Sequence, residues 1–197
     1  MKTIIVTGTP GTGKTNLAKK LAKKLNYMHA DVDKLISKYK LYEGYDRKRR
    51  TKIVDTNKLN RFLIRYIIFF KKNNISFDSF SNKKIIESAL LTKARSTKTL
   101  KNLNIKKYLN TKIKLNKKYK GIIIDSHISH HLPRKYVDLC IVLKCGIKEL
   151  NKRLKRKKFH KSKIQENLQA EIFDICHNEA MKMKHKILLI DATASSI

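Results

Sequence analysis

An unbroken phosphate-cradling pattern lies near the start of the chain. Gly8-Thr9-Pro10-Gly11-Thr12-Gly13-Lys14-Thr15 satisfies G-x-x-x-x-G-K-[ST] at every position. The β-branched run before it reads as a strand and the Leu/Ala-patterned run after it reads as a helix, the context the pattern requires. Glycines let successive backbone N–H groups turn inward on phosphate oxygens, and the helix N-terminus adds partial positive charge. Lys14 then reaches the terminal phosphates of ATP, and the Thr15 hydroxyl becomes a ligand of Mg²⁺.

Such a metal needs a second oxygen partner, an acid at the end of a neighbouring strand. Asp125 follows Ile122-Ile123-Ile124 and is placed for that role through a water; the other reading is an Asp that caps a turn. His127, His130 and His131 come next, yet the local sequence offers no Cys or carboxylate to complete a metal set, so a His-rich metal centre is not expected. A dense basic run follows later: Arg153, Lys155, Arg156, Lys157, Lys158, Lys161 and Lys163. In a small phosphoryl-transfer enzyme, a mobile lid there would bring cations over the phosphates. A solvated helix end is the alternative.

The elements that must carry these groups can be read from hydrophobic period. Residues 2–7, 121–125, 138–143 and 187–190 read as buried strands, with a short one at 27–30. Leu17, Ala18, Leu21, Ala22 and Leu25 share one helical face. Asp33 is expected to N-cap a helix through Leu35, Ile36 and Tyr39. Ile147, Leu150 and Leu154 mark another helix, and Ile164, Leu168, Ile172, Ile175 and Cys176 a further single stripe. Strands separated by helices indicate an α/β fold with a parallel sheet.

Composition bounds the rest. The chain has 197 residues, one domain's worth, with 47 Lys+Arg against 15 Asp+Glu and a net charge of +32. Lys (38), Ile (24) and Asn (14) share A/T-rich codons, so a biased genome could supply much of the excess. The charge still attracts polyphosphate in a salt-dependent way. Residues 61–120 hold 17 basic and two acidic residues with no Gly or Pro. They read as a basic low-complexity insertion, about residues 66–118, with local helix around 59–70. No run of about 18 apolar residues exists to cross a bilayer. Nor does the N-terminus show a signal-peptide pattern. The three cysteines (Cys140, Cys145, Cys176) make no even framework, which points to a reducing compartment.

Together these motifs give a family resemblance. The sequence resembles the adenylate kinase isoenzyme 6 family, P-loop kinases also described as coilin-interacting nuclear ATPases, with archaeal relatives. The shared features are the loop at residues 8–15, the LYEGYD of residues 41–46, Asp125-Ser126-His127 and His131-Leu132-Pro133. Further on come Arg153-Leu154 and the K-I-x-E-N-x-x-A-E-I of residues 163–172. They cover about residues 1–60 and 119–191.

The resemblance implies a three-layer nucleoside monophosphate kinase fold around a five-stranded parallel sheet ordered 2-3-1-4-5. It implies ATP held by Gly11, Gly13, Lys14, Thr15, Asn16 and Lys157, and Mg²⁺ held by Thr15 and Asp125. Lys14, Asp125, His127, Arg153 and Lys157 would be catalytic. AMP would sit in a segment of about residues 30–54 that includes Asp33, Gly44, Tyr45 and Asp46, under a lid of about residues 156–166. It further implies ATPase activity, a role in small-ribosomal-subunit maturation with a ribosomal protein and rRNA as partners, a monomeric state, and residence in nucleus and cytoplasm. The lid departs from the family's R-L-x-x-R-G-Y: Lys157 stands for the Arg, Lys158 for the Gly and Phe159 for the Tyr. Lys lacks the planar fork with which Arg grips a phosphoryl group.

Overall fold

The computed structural model describes residues 1–47, 51–73 and 119–194. Five parallel strands form one sheet: β1 (Lys2–Gly8), β2 (Tyr27–Asp31), β5 (Gly121–Asp125), β6 (Leu139–Lys144) and β7 (Ile187–Asp191). Their spatial order is β2-β5-β1-β6-β7. Counting only these strands, that is the expected 2-3-1-4-5. A separate hairpin pairs β3 (Gly44–Asp46) with β4 (Thr51–Ile53).

The buried strands are apolar on both faces because helices cover both. Ile4, Val6, Ile123, Ile141 and Leu143 pack with Ala18 and Ala22 of α1 (Lys14–Leu25). Ile5, Ile122, Ile124, Cys140 and Val142 face the larger cluster on the other side. That cluster takes in α2 (Val32–Lys38), α3 (Thr56–Asn73) and, through Ala180, α6 (Ile175–Lys182). Between β6 and α6 lie α4 (Ile147–Arg156) and α5 (Lys161–Ile172). No helix among the described residues is long and apolar enough to cross a membrane.

Three local expectations change. The N-cap of α2 is Asp31, not Asp33: its carboxylate accepts the Lys34 N–H at 3.1 Å, and Asp33 falls in the first turn. The strand runs directly into the helix, so the chain turns two residues early. The stripe from Ile164 to Cys176 is two helices, broken where Asp174 adopts φ +54° and pairs with Lys144. Finally, the first part of the supposed basic insertion is core. Asp55 accepts the N–H groups of Asn57 and Lys58, starting α3, and Leu59, Phe62, Leu63, Tyr66, Ile67 and Phe70 bury one helical face. Their i, i+3, i+4, i+7 spacing outweighs the Lys-rich surroundings. The remainder of that segment, residues 74–118, lies outside the described residues.

Helix ends share one device. After α2, α4 and α6 the chain turns left-handed at Lys40, Lys158 and Lys184, with φ of +51°, +56° and +57°. The N–H groups of Leu41, Phe159 and His185 then reach back to the carbonyls of Ile36, Leu154 and Ala180.

The burial of α3 makes a measurable claim. Phe70 is fully buried. Phe70→Ala should therefore cost about 3–5 kcal/mol, read as a lower denaturant midpoint at unchanged slope. A solvated linker would show no such loss.

Candidate active site

The phosphate loop leaves β1 at the centre of the sheet, where β1 lies between β5 and β6 and the strand order reverses. Ligands of open α/β sheets bind at such a switch point. Gly8 has φ +137°, and a Cβ there would stand 2.4 Å from the Leu143 carbonyl oxygen, so only glycine fits beside β6. Within the loop the Thr9 carbonyl accepts three hydrogen bonds: from the Thr12 N–H (3.2 Å), the Thr12 hydroxyl (2.9 Å) and Lys14 Nζ (3.0 Å). Burial pushes the Lys14 ammonium down to about pKa 8. Cys176 and Asp125 oppose that shift, and Lys157 adds to it.

Lys14, Thr15 and Asp125 converge as the sequence predicts. Thr15 Oγ1 donates to Asp125 Oδ1 at 3.2 Å, and Asp125 is 5% exposed. The other carboxylate oxygen meets His29 Nε2 at 3.0 Å. A hydroxyl and a carboxylate side by side, next to a buried cation, form a hard oxygen donor set that fits Mg²⁺. Thr15 and Asp125 would hold it, and it would supply neutralisation of charge on bridging phosphate oxygens. Asn16 lies exposed in the first turn of α1, and Gly11 and Gly13 both take positive φ in the loop.

The other expected residues are placed less uniformly. His127 is exposed as a residue, and its carbonyl accepts from the Thr7 hydroxyl at 3.4 Å and the Cys176 thiol at 3.9 Å. Enclosure by neighbouring groups, then the Lys14 charge, lowers its imidazole below the ordinary histidine value. Arg153 acts as a brace. Its guanidinium donates to Glu149 Oε1 (2.8 Å) and to the carbonyls of Ala192 (2.9 Å) and Thr193 (3.3 Å), and reaches that of Thr12 at 3.5 Å. Leu150 and Leu154 of the same helix press on the loop: a Cβ on Gly11 would come within 3.0 Å of both. Lys157 caps the end of α4, close enough for its charge to be felt at Lys14. The segment expected as a lid holds a short turn between α4 and α5, with Phe159 packed toward Leu150 and Leu154.

An open cavity of about 590 Å³ adjoins the loop, lined by Thr15, Asp31, Asp33, Lys34, Ser37 and Lys38. Asp33 belongs to it as expected. Gly44, Tyr45 and Asp46 form β3, outside that lining. Their hairpin is tied to the cavity wall through Lys52, which donates to the Ser37 hydroxyl.

Sequence reasoning missed three side chains. His29 could have been found from the strand alternation that puts it on the face of Asp125. Cys176 and Glu179 come from α6 and carry no local signal. Glu179 corrects the view that no carboxylate meets the histidines: its Oε2 lies 2.7 Å from His130 Nε2 and 3.7 Å from His131 Nε2.

This topology and loop define a P-loop nucleotide-binding protein of the α/β class. Sequence comparison narrows the class. The AAA domain family matches residues 4–174, and the chain belongs to that family. It is similar to a Methanocaldococcus jannaschii protein named "Putative adenylate kinase", 29% identical over 190 residues, covering 96% of this chain and 76% of that protein. The adenylate kinase isoenzyme 6 homolog FAP7 of Saccharomyces cerevisiae is 27% identical, covering 95% of this chain and 71% of its own. The adenylate kinase isoenzyme 6 homolog of Dictyostelium discoideum is 24% identical, covering 98% and 82%.

The Lys14 environment fixes a pH dependence. In the free protein the ammonium deprotonates above about pH 8, whereas a bound phosphate holds it protonated, so binding takes up a proton there. Affinity for Mg·ATP should be level near neutrality and weaken toward tenfold per unit above about pH 8. Calorimetric titration across that range checks it; a flat profile would mean that another group carries the charge.

Proposed function

We propose that the chain is an adenylate kinase-like nucleoside monophosphate kinase that transfers the γ-phosphoryl group of ATP to AMP, giving two ADP, with Mg²⁺. The observation that carries this reading is the open cavity beside Thr15. It opens next to the loop that would hold ATP, and it presents two lysines and two carboxylates along α2 and its cap. Lys34 and Lys38 suit an acceptor phosphate; Asp31 and Asp33 suit hydroxyl and amino donors of a nucleoside. The names of the similar proteins support the same reading.

The acceptor is a phosphate oxygen already ionised at neutral pH, so no general base is required. That oxygen attacks the γ-phosphorus as its bond to the bridging oxygen breaks, and ADP leaves. What the chain supplies is alignment and charge: Lys14 at the terminal phosphates, backbone N–H groups of the loop, and the lid cations. Lys14→Ala should lower turnover by at least about a hundredfold, measured as ADP formed from ATP plus AMP. Near-wild-type activity would sink the assignment. Lys157 stands where the family has Arg. Lys157→Arg should raise kcat by restoring a two-pronged grip, and no change in either Lys157→Arg or Lys157→Ala would move the lid function to Arg156.

A second reading is favoured by the +32 charge. In it the chain hydrolyses ATP while bound to rRNA and a small-subunit ribosomal protein in nucleus and cytoplasm, and AMP phosphorylation is incidental. ADP production from ATP alone, ATP plus AMP, and ATP plus RNA separates the two readings. Stimulation by AMP supports the kinase; stimulation by RNA with none by AMP supports the second.

A further inference from the structure

The phosphate site leaves one chemistry-bearing cluster unused. His130 and His131 end the short 3₁₀ turn Ser129–His131 after β5, and Glu179 comes from α6. We propose that His130, His131 and Glu179 form a binding site for a divalent cation of the zinc class.

One ligand atom from each residue lies within 4.8 Å of the other two. Small side-chain shifts bring such atoms to the spacing set by metal–ligand bonds of about 2.0–2.1 Å. Two imidazoles and a carboxylate select zinc-like ions, whereas the oxygen pair of Thr15 and Asp125 selects magnesium, so the two sites sort metals by ligand chemistry.

The surroundings support this geometry. His130 is buried, and its Nδ1 lies 2.8 Å from the Thr7 hydroxyl. When that hydroxyl donates to the His127 carbonyl, 3.4 Å away, it accepts from Nδ1–H. Nε2, 2.7 Å from Glu179 Oε2, then faces the carboxylate with no proton of its own, and either a proton or a divalent cation bridges the two. An orienting hydrogen bond on the far nitrogen is the usual partner of a metal-bound imidazole. The turn itself is pinned, since the Ser129 hydroxyl lies 3.0 Å from the Ser126 carbonyl and 3.3 Å from that of Val6. His131 and Glu179 are about one-third exposed, at 32% and 37%. That leaves a path from solvent and room for a water as fourth ligand. A bound ion would join the segment after β5 to α6, and α6 also brings Cys176 against His127.

The test uses the untagged, chelator-treated full chain without nucleotide. Zn²⁺ is titrated by calorimetry and Co²⁺ by visible absorption. One equivalent should bind, with the intense ligand-field bands of tetrahedral Co²⁺, and excess Mg²⁺ should not displace it. Glu179→Gln and His131→Ala should each weaken Zn²⁺ binding by at least about tenfold, while His160→Ala, at the exposed N-cap of α5, leaves it unchanged. In wild-type protein, Co²⁺ should also shift the ring resonances of His130 and His131, a readout independent of whether any variant folds. No uptake of either metal, equal binding by all three variants, or unshifted His130 and His131 resonances would overturn the proposal. None of these readouts depends on the kinase reaction.

Discussion

The buried ammonium of Lys14 is the constraint around which the structure is arranged. A cation held away from water is costly unless its partners are fixed in advance. Here the Thr9 carbonyl meets it at 3.0 Å and the Asp125 carboxylate lies near. What burial leaves unsatisfied, a phosphate can complete. The lowered pKa of about 8 expresses that balance: the free site is close to giving up its proton, and an anion restores the reason to keep it.

Everything adjoining the loop serves to keep it in that shape. Gly8 permits contact with β6 that no side chain would allow. From below, α4 presses Leu150 and Leu154 on Gly11, while Arg153 of the same helix ties the loop to the backbone after β7. The helix that leads into the turn at Lys157 is therefore also a wall of the phosphate loop.

Much of this was legible in sequence because it is local. The loop motif, the buried strand runs and the Leu/Ala face of α1 are contiguous patterns, and parallel strands covered by helices follow from their alternation. The burial of α3 was obscured by composition: residues 61–120 hold 17 basic residues against two acidic ones, yet a single apolar stripe from Leu59 to Phe70 suffices to bury a helix. The cap of α2 was misplaced by two residues because the choice between Asp31 and Asp33 depends on where the strand releases the chain. Glu179 lies 49 residues from His130, and no local period announces a contact at that distance. His29 belongs between these cases, since its face could be read but its partner could not.

The left-handed lysines at three helix ends have a consequence beyond geometry. Glycine is the cheapest residue there, and an L-residue in that conformation gives up about 1 kcal/mol or more. The chain has only six glycines, three of them in the phosphate loop. Lysine, by contrast, is the commonest residue of the chain, 38 of 197. Lys40, Lys158 and Lys184 are where that bias meets the backbone. A lysine-rich, glycine-poor composition is thus recorded as conformational strain, concentrated at helix ends that can tolerate it and kept out of Gly8, where Leu143 leaves no room for a side chain.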